Sequence, residues 1–571
     1  IKSLLISPAT LERQPTHIRE IISSINERRW LIPNFQRYYD WTPRDVKDLL
    51  TSIMMEYYVG SLLLWKPRAD ERLSCAPVLG VADGEAAPAH LVILDGQQRI
   101  TSLNYAIHPR PDDRVFPGYY YVDLGAFLRK EDDLIIQSDR EIPHEETLSR
   151  YLFPFSSLSD AGIFSWIDSF KDQFSSRTAD ERVRVSEICD IIRQKMFRVL
   201  GQFEIPRVEL PEAVEFDSVA AVFENLNSKG KPLGTFDLLI VRLSTYDVQL
   251  KDLWDATLAE HRRIREYYEE RPKMAKLGLY IMESISLAHT TRRSCKRKDI
   301  LNLFTDNRET VDGFTEKWRV MSRYIERAIE YLEDTLGATG KRNLPYEPVI
   351  PILAALLYKI DRDFGGRQDC MEKTHYWYWT SVFGSRFSSA VDSKKSADFG
   401  DMLKWFEDDF EIPTDVRNFR ESYHTQVRLR DVRRRGSVYL GVFSLLAVNG
   451  ARDLQRRLIM DEQDLHMDHV FPRSRFGRGG LEDSVLNMTW LTRETNTRDK
   501  RDMPPSRYLP YVLEKAYRGD DAGLAGALEC HLMDDACRTS LESDDFAGFV
   551  MERERILLDR IGEAIGANPD A

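Results

Sequence analysis

The sequence predicts an α+β protein that is predominantly helical, with strands near both ends of the chain and helices between them. Short apolar runs that end at turn residues, which are typical of strands, occur within the first 125 residues and again after residue 460. From about 130 to 450, apolar residues recur mostly at helical spacing. A chain of 571 residues is too long for one hydrophobic core. We therefore expect three domains, over residues 1–250, 251–435 and 436–571.

The composition is that of an ordinary globular protein, with 42% hydrophobic and 30% charged residues. No apolar run reaches the roughly 20 residues that cross a bilayer, and the N-terminus lacks a signal-peptide pattern. These features predict a cytoplasmic protein without membrane contact. The net charge of −12 argues against wholesale wrapping of nucleic acid, but it does not exclude local basic patches.

Two segments, 291–299 and 427–436, are dense in lysine and arginine. Either segment could line a groove that follows a phosphate backbone. Either could equally be a solvated helix face or loop, and the sequence leaves both interpretations open.

The six cysteines are scattered and form no CxxC pair, so neither a zinc ribbon nor a disulfide framework is supported. Cys530, His531 and Cys537 lie close together in the sequence. Packing of an amphipathic helix explains these three residues better than a metal site does.

The N-terminal region mixes strand and helix signals. Thr42 as N-cap, Pro43 at the first helical position and Asp45 in the first turn predict the start of a helix. Segments 58–65 and 90–96 are predicted to be buried strands.

Two helices are predicted with particular clarity in the middle region. The first carries an apolar stripe at helical spacing, formed by Met321, Ile325, Ala328, Ile329 and Leu332. The second, over 349–360, is apolar throughout and is predicted to be buried.

The segment DLHMDHVFPRSRF, residues 464–476, concentrates ionisable side chains within a predicted strand. A second strand over 485–491 and a helix capped by Thr492 are predicted to follow, so a hairpin packed on the helix would bring distant polar residues together. Asp468 and the amide oxygen of Asn496 are ligands that suit a hard cation such as Mg²⁺. The neutral imidazole of His469 can take a proton from an attacking water.

In the stretch that follows, Asn487 could hold the imidazole orientation by hydrogen bonding. His466 shares a strand face with Asp468 and is a candidate accessory ligand or substrate contact. The residue types fit phosphodiester hydrolysis, in which a metal ion stabilises charge on the scissile phosphate and on the leaving oxygen.

This pattern of D-H-x-x-P, a later asparagine and then N-x-x-x-K resembles the HNH, or ββα-metal, endonucleases. The resemblance implies that Asp468 and Asn496 bind Mg²⁺ or Mn²⁺, that His469 is the general base, and that Asn487 supports it. It also implies that Lys500 faces phosphate. A C-terminal HNH domain embedded in helices is therefore expected.

Near the N-terminus, VILDGQQRITSL predicts a strand, a tight turn at Asp95 and Gly96, and a helix whose first turn holds Arg99. The helix dipole disfavours a cation at this position unless an anion is bound there. An alternative is that Arg99 pairs with a neighbouring carboxylate, and the residues alone do not decide between the two.

Three segments resemble the N-terminal domain of GmrSD-type restriction proteins: IPNFQRYYDW, ILDGQQRITSL and FENLNSKGKPLGTFDLL. The resemblance implies a ParB/sulfiredoxin-like α/β fold that binds and hydrolyses a nucleotide, GTP or ATP, at the DGQQR motif. By carry-over, the nucleotide pocket is formed by Gln36, Arg37, Asp95, Gly96, Gln97, Gln98 and Arg99 and closed by Asn227, Gly230 and Asp237.

Together, the two resemblances predict an NTP-regulated, metal-dependent DNA endonuclease or nickase of the type IV restriction kind, which acts on modified phage DNA in antiviral defence. A homodimer is compatible with the sequence. Two alternatives stay open. The first is a nucleotide-binding, DNA-sensing switch with an inactive nuclease centre, and the second is an RNase toxin of an abortive-infection system.

Overall fold

The computed structural model describes residues 12–33, 36, 39–68, 75–81, 91–173, 178–214, 235–244, 246–269, 275–338, 343–433, 435–454, 465–476 and 480–567. The chain divides into two compact units, Ile1–Lys251 and Asp252–Ala571. The predominantly helical α+β class is confirmed, and the strands are confined to small sheets. The particular domain folds and the boundary predicted at 435/436 stay predictions.

The first unit contains two sheets. Their strands are β1 (Glu12–His17), β2 (Trp30–Pro33), β3 (Leu62–Trp65), β4 (Cys75–Ala76), β5 (Leu91–Asp95), β6 (Tyr119–Asp123), β7 (Ile135–Ser138), β8 (Leu152–Pro154) and β9 (Glu204–Leu210). The larger sheet is mixed and has the strand order β1-β9-β3-β5-β2-β4. Parallel pairs join β9 to β3 and β5 to β2, and the other pairs are antiparallel. The smaller sheet is antiparallel and has the order β7-β6-β8.

Helices of the first unit share one apolar core with its strands. Ile18, Val46, Ile93 and Ile163 belong to this core and are fully buried. The helices are α1 (Ile18–Asn26), α2 (Pro43–Met54), α3 (Gln97–Ile107), α4 (Leu124–Arg129), α5 (His144–Ser149), α6 (Asp160–Gln173), α7 (Ala179–Gly201) and α8 (Thr235–Ser244).

The start predicted for α2 is confirmed. Thr42 and Asp45 form a capping box, in which each side chain accepts a hydrogen bond from the other residue's backbone N–H, and Pro43 occupies the first position. The predicted strands also exist, but they are shorter than the apolar runs. The strand predicted over 58–65 spans only Leu62–Trp65, because the residues before Leu62 form no regular secondary structure.

The second unit is mainly helical. Its helices are α9 (Leu250–Glu260), α10 (Arg262–Glu269), α11 (Ala275–His289), α12 (Arg297–Leu301), α13 (Leu303–Asp306), α14 (Val311–Glu330), α15 (Val349–Asp363), α16 (Gln368–Phe383), α17 (Val391–Glu407), α18 (Thr414–Gln426), α19 (Ser437–Val448), α20 (Arg473–Phe476), α21 (Pro505–Tyr517), α22 (Asp521–Cys530), α23 (Asp535–Glu542) and α24 (Phe546–Ile565). The predicted apolar stripe is buried on α14 and on the π-helical turn Tyr331–Thr335 that extends it. Helix α15 is buried over almost its whole length, as predicted.

The C-terminal part of the second unit contains an antiparallel hairpin, formed by β10 (Leu465–His469) and β11 (Met488–Thr492). The second strand begins three residues later than predicted, because Val485–Asn487 forms a 3₁₀ turn. No helix in the described part of the chain is long and apolar enough to span a membrane.

Gly96 provides a test of how tightly β5 and α3 are joined. Its φ of +101° lies in the left-handed region, and a Cβ placed there would lie 2.3 Å from Cδ2 of buried Leu62. We expect Gly96→Ala to lower the free energy of unfolding by about 2 kcal/mol or more, from backbone strain and overpacking. Urea unfolding measures this change. Gly201→Ala, in the same unit and free of a close contact, should change it by less than about 1 kcal/mol, and equal effects would contradict the explanation.

Candidate functional site

The hairpin of β10 and β11 carries the predicted catalytic pair. Asp468 lies opposite Thr489 and His469 lies opposite Met488. The side chains of Asp468 and His469 are 22% and 26% exposed, so both are accessible to solvent and to a substrate. His466, two residues before Asp468, is exposed.

Asp468 and Asn496 meet although 28 residues separate them in the sequence. Asn496 lies in the π-helical turn Thr495–Lys500, and its Nδ2 donates to Oδ2 of Asp468. The other carboxylate oxygen of Asp468 accepts the backbone N–H of His469 at 2.7 Å. The structure therefore brings the two predicted metal ligands into direct contact.

Asp468 is kept in its ionised form. Burial raises the pKa of this carboxyl, but hydrogen bonds from His469 and the nearby charge of Lys500 outweigh burial, and the pKa lies below its usual value. An ionised carboxylate is the form that binds a cation.

The imidazole of His469 is oriented by a carboxylate that the sequence reasoning missed. Its Nε2 lies 3.3 Å from Oδ1 of Asp483, and its Nδ1 lies 3.7 Å from Oδ1 of Asp468. The second oxygen of Asp483 pairs with Nη2 of Arg473 at 3.2 Å. Asp483 gave no signal in the sequence, because it is one of 92 acidic residues and belongs to no motif.

Asn487 is fully buried and acts on the backbone rather than on the imidazole ring. Its Nδ2 donates to the carbonyls of Phe471 and Glu482 at 3.0 and 2.9 Å, and its Oδ1 accepts the N–H of Phe471 at 2.8 Å. Its own carbonyl accepts the N–H of Val470 at 2.7 Å. The residue thus fixes the chain immediately after His469, whereas the sequence predicted a bond to the ring itself.

The structure places Lys500 differently from the prediction that it faces phosphate. The residue is 4% exposed, and its ammonium group lies 5.8 Å from the ring centroid of Tyr508. Burial lowers the pKa of Lys500, and the carboxylates of Asp468 and Asp502 act in the opposite direction. Its positive charge therefore acts on Asp468 from inside the protein.

The start of the helical turn that carries Asn496 is held by a buried carboxylate. Oδ1 of Asp453 accepts from the backbone N–H and the hydroxyl of Thr492, and Oδ2 accepts from the hydroxyl of Thr495. The hydroxyl of Thr492 in turn accepts the N–H of Thr495 at 3.2 Å, consistent with its predicted capping role. These bonds fix Asn496 relative to β11.

Two buried basic side chains support the inner face of β11. Nδ1 of His531 lies 2.6 Å from the hydroxyl of Thr489, and burial lowers the pKa of His531 to about 3, so the ring is neutral. Nη2 of Arg553 donates to the carbonyl of Met488 at 3.1 Å. Burial also lowers the pKa of Arg553, to about 10, which leaves the guanidinium charged. Cys537 is buried here too, as the packing interpretation of the Cys/His group expected.

The DGQQR motif forms the predicted junction of strand, glycine turn and helix. Gln36 is buried, and its Nε2 donates to the carbonyls of Ile93 and Leu94 at 2.9 and 2.8 Å. Oε1 of Gln98 accepts the N–H of Asp40 at 3.1 Å. These bonds attach the segment before α2 to β5 and α3.

Arg99 is bound by oxygen atoms of the protein. Its guanidinium donates to the carbonyls of Val59 and Ser61, both at 2.8 Å, and to Oδ2 of Asp95 at 3.0 Å. This is the carboxylate pairing that the sequence left open as the alternative to an anion. The side chain is 15% exposed and closes the turn around Gly60.

Three side-chain oxygens on α3 are buried without a hydrogen-bond partner in the described part of the chain: Oε1 of Gln97, Oγ1 of Thr101 and Oδ1 of Asn104. They follow one another at helical spacing, so they lie on one face of the helix. Unpaired buried acceptors are costly and call for a donor.

The remaining residues predicted for the nucleotide pocket are Arg37, Asn227, Gly230 and Asp237. The first three lie outside the described residues, and Asp237 lies in α8, where its side chain is not described. Their part in the pocket stays a prediction.

The hairpin centre combines a side chain that can accept a proton, His469, with side-chain oxygens that can bind a hard cation. Asp468 and Asn496 are oxygen-bearing side chains, and the amide of Asn496 can present either its nitrogen or its oxygen to a ligand. Within the described ranges, no group of three or more His, Cys, Asp and Glu side chains is arranged around one point for a metal. A cation at this centre would thus need water or phosphate as further ligands, as Mg²⁺ commonly does.

Comparison with known proteins gives a family match for most of the first unit. Residues 18–244, less than half of the chain, match the family described as "GmrSD restriction endonuclease, N-terminal domain". This part of the chain is therefore similar to the N-terminal domain of GmrSD restriction endonucleases. The chain is also similar to an uncharacterized protein of Methanocaldococcus jannaschii, with 25% identity over 617 residues that cover 97% of this chain and 100% of that protein.

The role of Asn487 as a backbone clamp is testable. Asn487→Leu would leave buried N–H and carbonyl groups of Phe471 and Glu482 without partners, so the free energy of unfolding should fall by about 3 kcal/mol. Urea unfolding is the measurement. The matched control is Asn418→Leu at an exposed position of α18, which should change stability by less than about 0.5 kcal/mol. If Asn487→Leu were as stable as the Asn418→Leu control, the assignment would be contradicted.

The neutral state of His531 predicts a pH dependence of stability. Its pKa is about 3 in the folded protein and about 6.5 when unfolded, so the unfolded chain binds more protons between these values. Stability should therefore be full above pH 6.5 and fall as the pH drops towards 3. His531→Asn removes the imidazole. It should therefore reduce the slope of the free energy of unfolding against pH by up to about 1.4 kcal/mol per pH unit between pH 4 and 6. Urea unfolding at a series of pH values measures this slope. If the free energy of unfolding of the wild type and of the variant changed with pH in parallel, the assignment would be wrong.

Proposed function

We propose that the protein is an NTP-regulated, metal-dependent DNA endonuclease or nickase of the type IV restriction kind, which defends a cell against modified phage DNA. The observation that carries the proposal is the convergence of Asp468, His469 and Asn496 at one accessible point of the hairpin. These three residues come from two segments and include a base and two oxygen-bearing side chains. The match of residues 18–244 to a restriction endonuclease family supports the same conclusion from the other end of the chain.

His469 acts as the general base. When the Nε2 proton is donated to Asp483, the lone pair lies on Nδ1, which faces the Asp468 side of the centre. A water held next to Asp468 then loses its proton to Nδ1 as its oxygen attacks the scissile phosphorus, the bond from phosphorus to the leaving sugar oxygen breaks, and that oxygen takes a proton from solvent. Asp483 stabilises the imidazolium that forms, and its bond to Arg473 holds the carboxylate in place.

The donor set fits Mg²⁺ or Mn²⁺. Asp468 is ionised and in contact with Asn496, and carboxylate and amide oxygens are ligands that hard cations accept. Such a cation, when bound, supplies Lewis-acid stabilisation of charge on the phosphate and the leaving oxygen. Lys500 keeps the carboxylate of Asp468 ionised from the buried side, which is the role we assign to it in place of a direct phosphate contact.

We assign the nucleotide, GTP or ATP, to the DGQQR junction of the first unit. Gln36, Gln98 and Arg99 organise the junction by binding protein oxygens or backbone N–H groups, and Arg99 is therefore a positioning residue. At this junction, the side chain of Gln97 can accept a further hydrogen bond, because its buried Oε1 accepts none from the described residues. A nucleobase amine or a ribose hydroxyl would supply one.

Regulation by NTP has a physical rationale. An ungated metal nuclease would also attack the chromosome of its own cell. A nucleotide can switch the enzyme only if it binds the cutting and resting states with different affinity. Hydrolysis of the nucleotide would then reset the switch.

The base assignment predicts that His469→Ala lowers cleavage of target DNA in Mg²⁺ by at least about 100-fold, since general-base catalysis contributes that much or more. Nucleotide hydrolysis should continue. Gel assays of unmodified, base-glucosylated and phosphorothioated DNA, each with and without GTP or ATP, measure cleavage.

The control for this experiment is His144→Ala, at an exposed histidine of the first unit, which should cut at the wild-type rate. Undiminished cleavage by the His469 variant would refute the base assignment. Cutting of matched RNA in place of DNA would favour the toxin alternative.

The nucleotide assignment predicts that Gln97→Ala weakens NTP binding by about tenfold, the cost of one lost hydrogen bond in a buried site. Titration calorimetry with GTP and ATP measures the affinity. Cleavage measured without nucleotide should be unchanged. Gln137→Ala, a partly exposed glutamine of β7, serves as control, and identical affinities in both variants would remove Gln97 from the pocket.

A further inference from the structure

The arginine-rich segment 427–436 is attached to the loop that supports the catalytic hairpin. The hydroxyl of Ser484 donates to the carbonyl of Leu429 at 2.8 Å, and the N–H of Val485 donates to the carbonyl of Val432 at 2.8 Å. Ser484 directly follows Asp483, the carboxylate that orients His469. The backbone of the arginine-rich segment is thus fixed beside the candidate nuclease centre.

Two arginines of this segment are exposed and have unused binding capacity. Arg428 and Arg433 lie on either side of the anchored stretch Leu429–Val432, and both are exposed. Neither side chain forms a hydrogen bond or ion pair with any residue that the structure describes. One exposed acid, Asp431, lies between them, so the surface keeps a positive charge.

Two further arginines that the structure describes, Arg430 and Arg435, hold the segment in place. Nε of Arg430 pairs with Glu554 of α24 at 2.6 Å. Nη2 of Arg435 donates to Oδ1 of Asn343 at 2.7 Å. Among the described arginines of the segment, Arg430 and Arg435 are therefore paired with other parts of the chain, whereas Arg428 and Arg433 face solvent.

The second basic segment, 291–299, lacks this relationship to the hairpin. Arg292 pairs with Asp299 at 2.7 Å, and the guanidinium of Arg293 lies 5.8 Å from the ring centroid of Phe399. Over the described ranges, the segment makes no hydrogen bond to β10, to β11 or to the loop between them. Three of its exposed cations, Lys296, Arg297 and Lys298, offer a control on a separate basic segment.

We infer that Arg428 and Arg433 bind phosphates of the DNA backbone next to the position that the His469 centre cuts. The inference rests on the proposed function and adds the surface that holds the substrate. An unpaired guanidinium offers two parallel N–H donors to a phosphate, and this geometry favours arginine at such sites. Contacts of this kind fix the register of the duplex without reading its sequence.

The test measures binding of an uncut DNA duplex by the full-length chain in the His469→Ala background, over a series of salt concentrations. Each phosphate contact contributes about 1 to the slope of log affinity against log salt. Changing both Arg428 and Arg433 to Gln should make the slope less negative by about 2 and weaken binding at low salt by about tenfold or more. Changing both to Lys should preserve the slope, because the charges remain.

The control is the triple variant of Lys296, Arg297 and Lys298 to Gln, which should change the slope by less than about 1. An equal change in the control would assign binding to overall charge and overturn the inference. Urea midpoints equal to that of the parent protein show that the variants are folded. If the double substitution to Gln unfolds the protein, the double substitution to Lys decides. A less negative slope of log affinity against log salt in the Lys variant would then overturn the inference.

Cleavage by the same variants with His469 present separates this inference from the proposed function. A parent protein that binds and cuts DNA while the Gln pair keeps the same salt slope would overturn only the phosphate contacts. A parent protein that neither binds nor cuts any DNA would overturn both. Cleavage that falls in the Gln pair at moderate salt and recovers at low salt would support the contacts.

Discussion

The candidate nuclease centre depends on one buried amide. Asn487 uses both polar atoms of its side chain to bind the backbone of Phe471 and Glu482 and so closes the loop between β10 and β11. Because its own carbonyl also binds Val470, the chain on the C-terminal side of His469 has little freedom. A two-stranded hairpin is only marginally stable by itself, and a short strand pair that must orient the proposed base needs this kind of reinforcement.

The surroundings of the hairpin extend the same constraint. Asp453 fixes the beginning of the turn that carries Asn496, and Asp483 holds the ring of His469. Under the sheet, a neutral His531 and a charged Arg553 bind β11 from the inside. Pre-organisation of this kind matters in catalysis, because a group that is already oriented loses little freedom on reaching the transition state.

The first unit shows a different use of charge. Arg99 was a candidate for direct contact with an anion, yet its donors bind two carbonyls and Asp95. A guanidinium with three protein acceptors stabilises a turn and shapes the adjoining surface. Buried oxygens without a partner among the described residues lie instead on Gln97 of the motif and further along α3, on Thr101 and Asn104.

Much of the fold could be predicted from the sequence, because the relevant signals are local. The capping box of α2, the apolar stripe of α14 and the burial of α15 depend on residues within one or two helical turns of each other. The glycine turn at Gly96 likewise required only a strand, a glycine and a helix in sequence. Strand ends were less predictable, since they depend on the pairing partner and on turns such as Val485–Asn487.

The sequence by itself determined the residue types of the two candidate sites and the order in which they occur along the chain. Only the tertiary structure decided which atoms each side chain meets. Asp483, which has no distinctive sequence neighbours, became the partner of His469, and Lys500 turned inwards to Tyr508. The physical reason is that pairings between residues far apart in the chain follow from packing and from the need to satisfy buried polar groups, which no local pattern encodes.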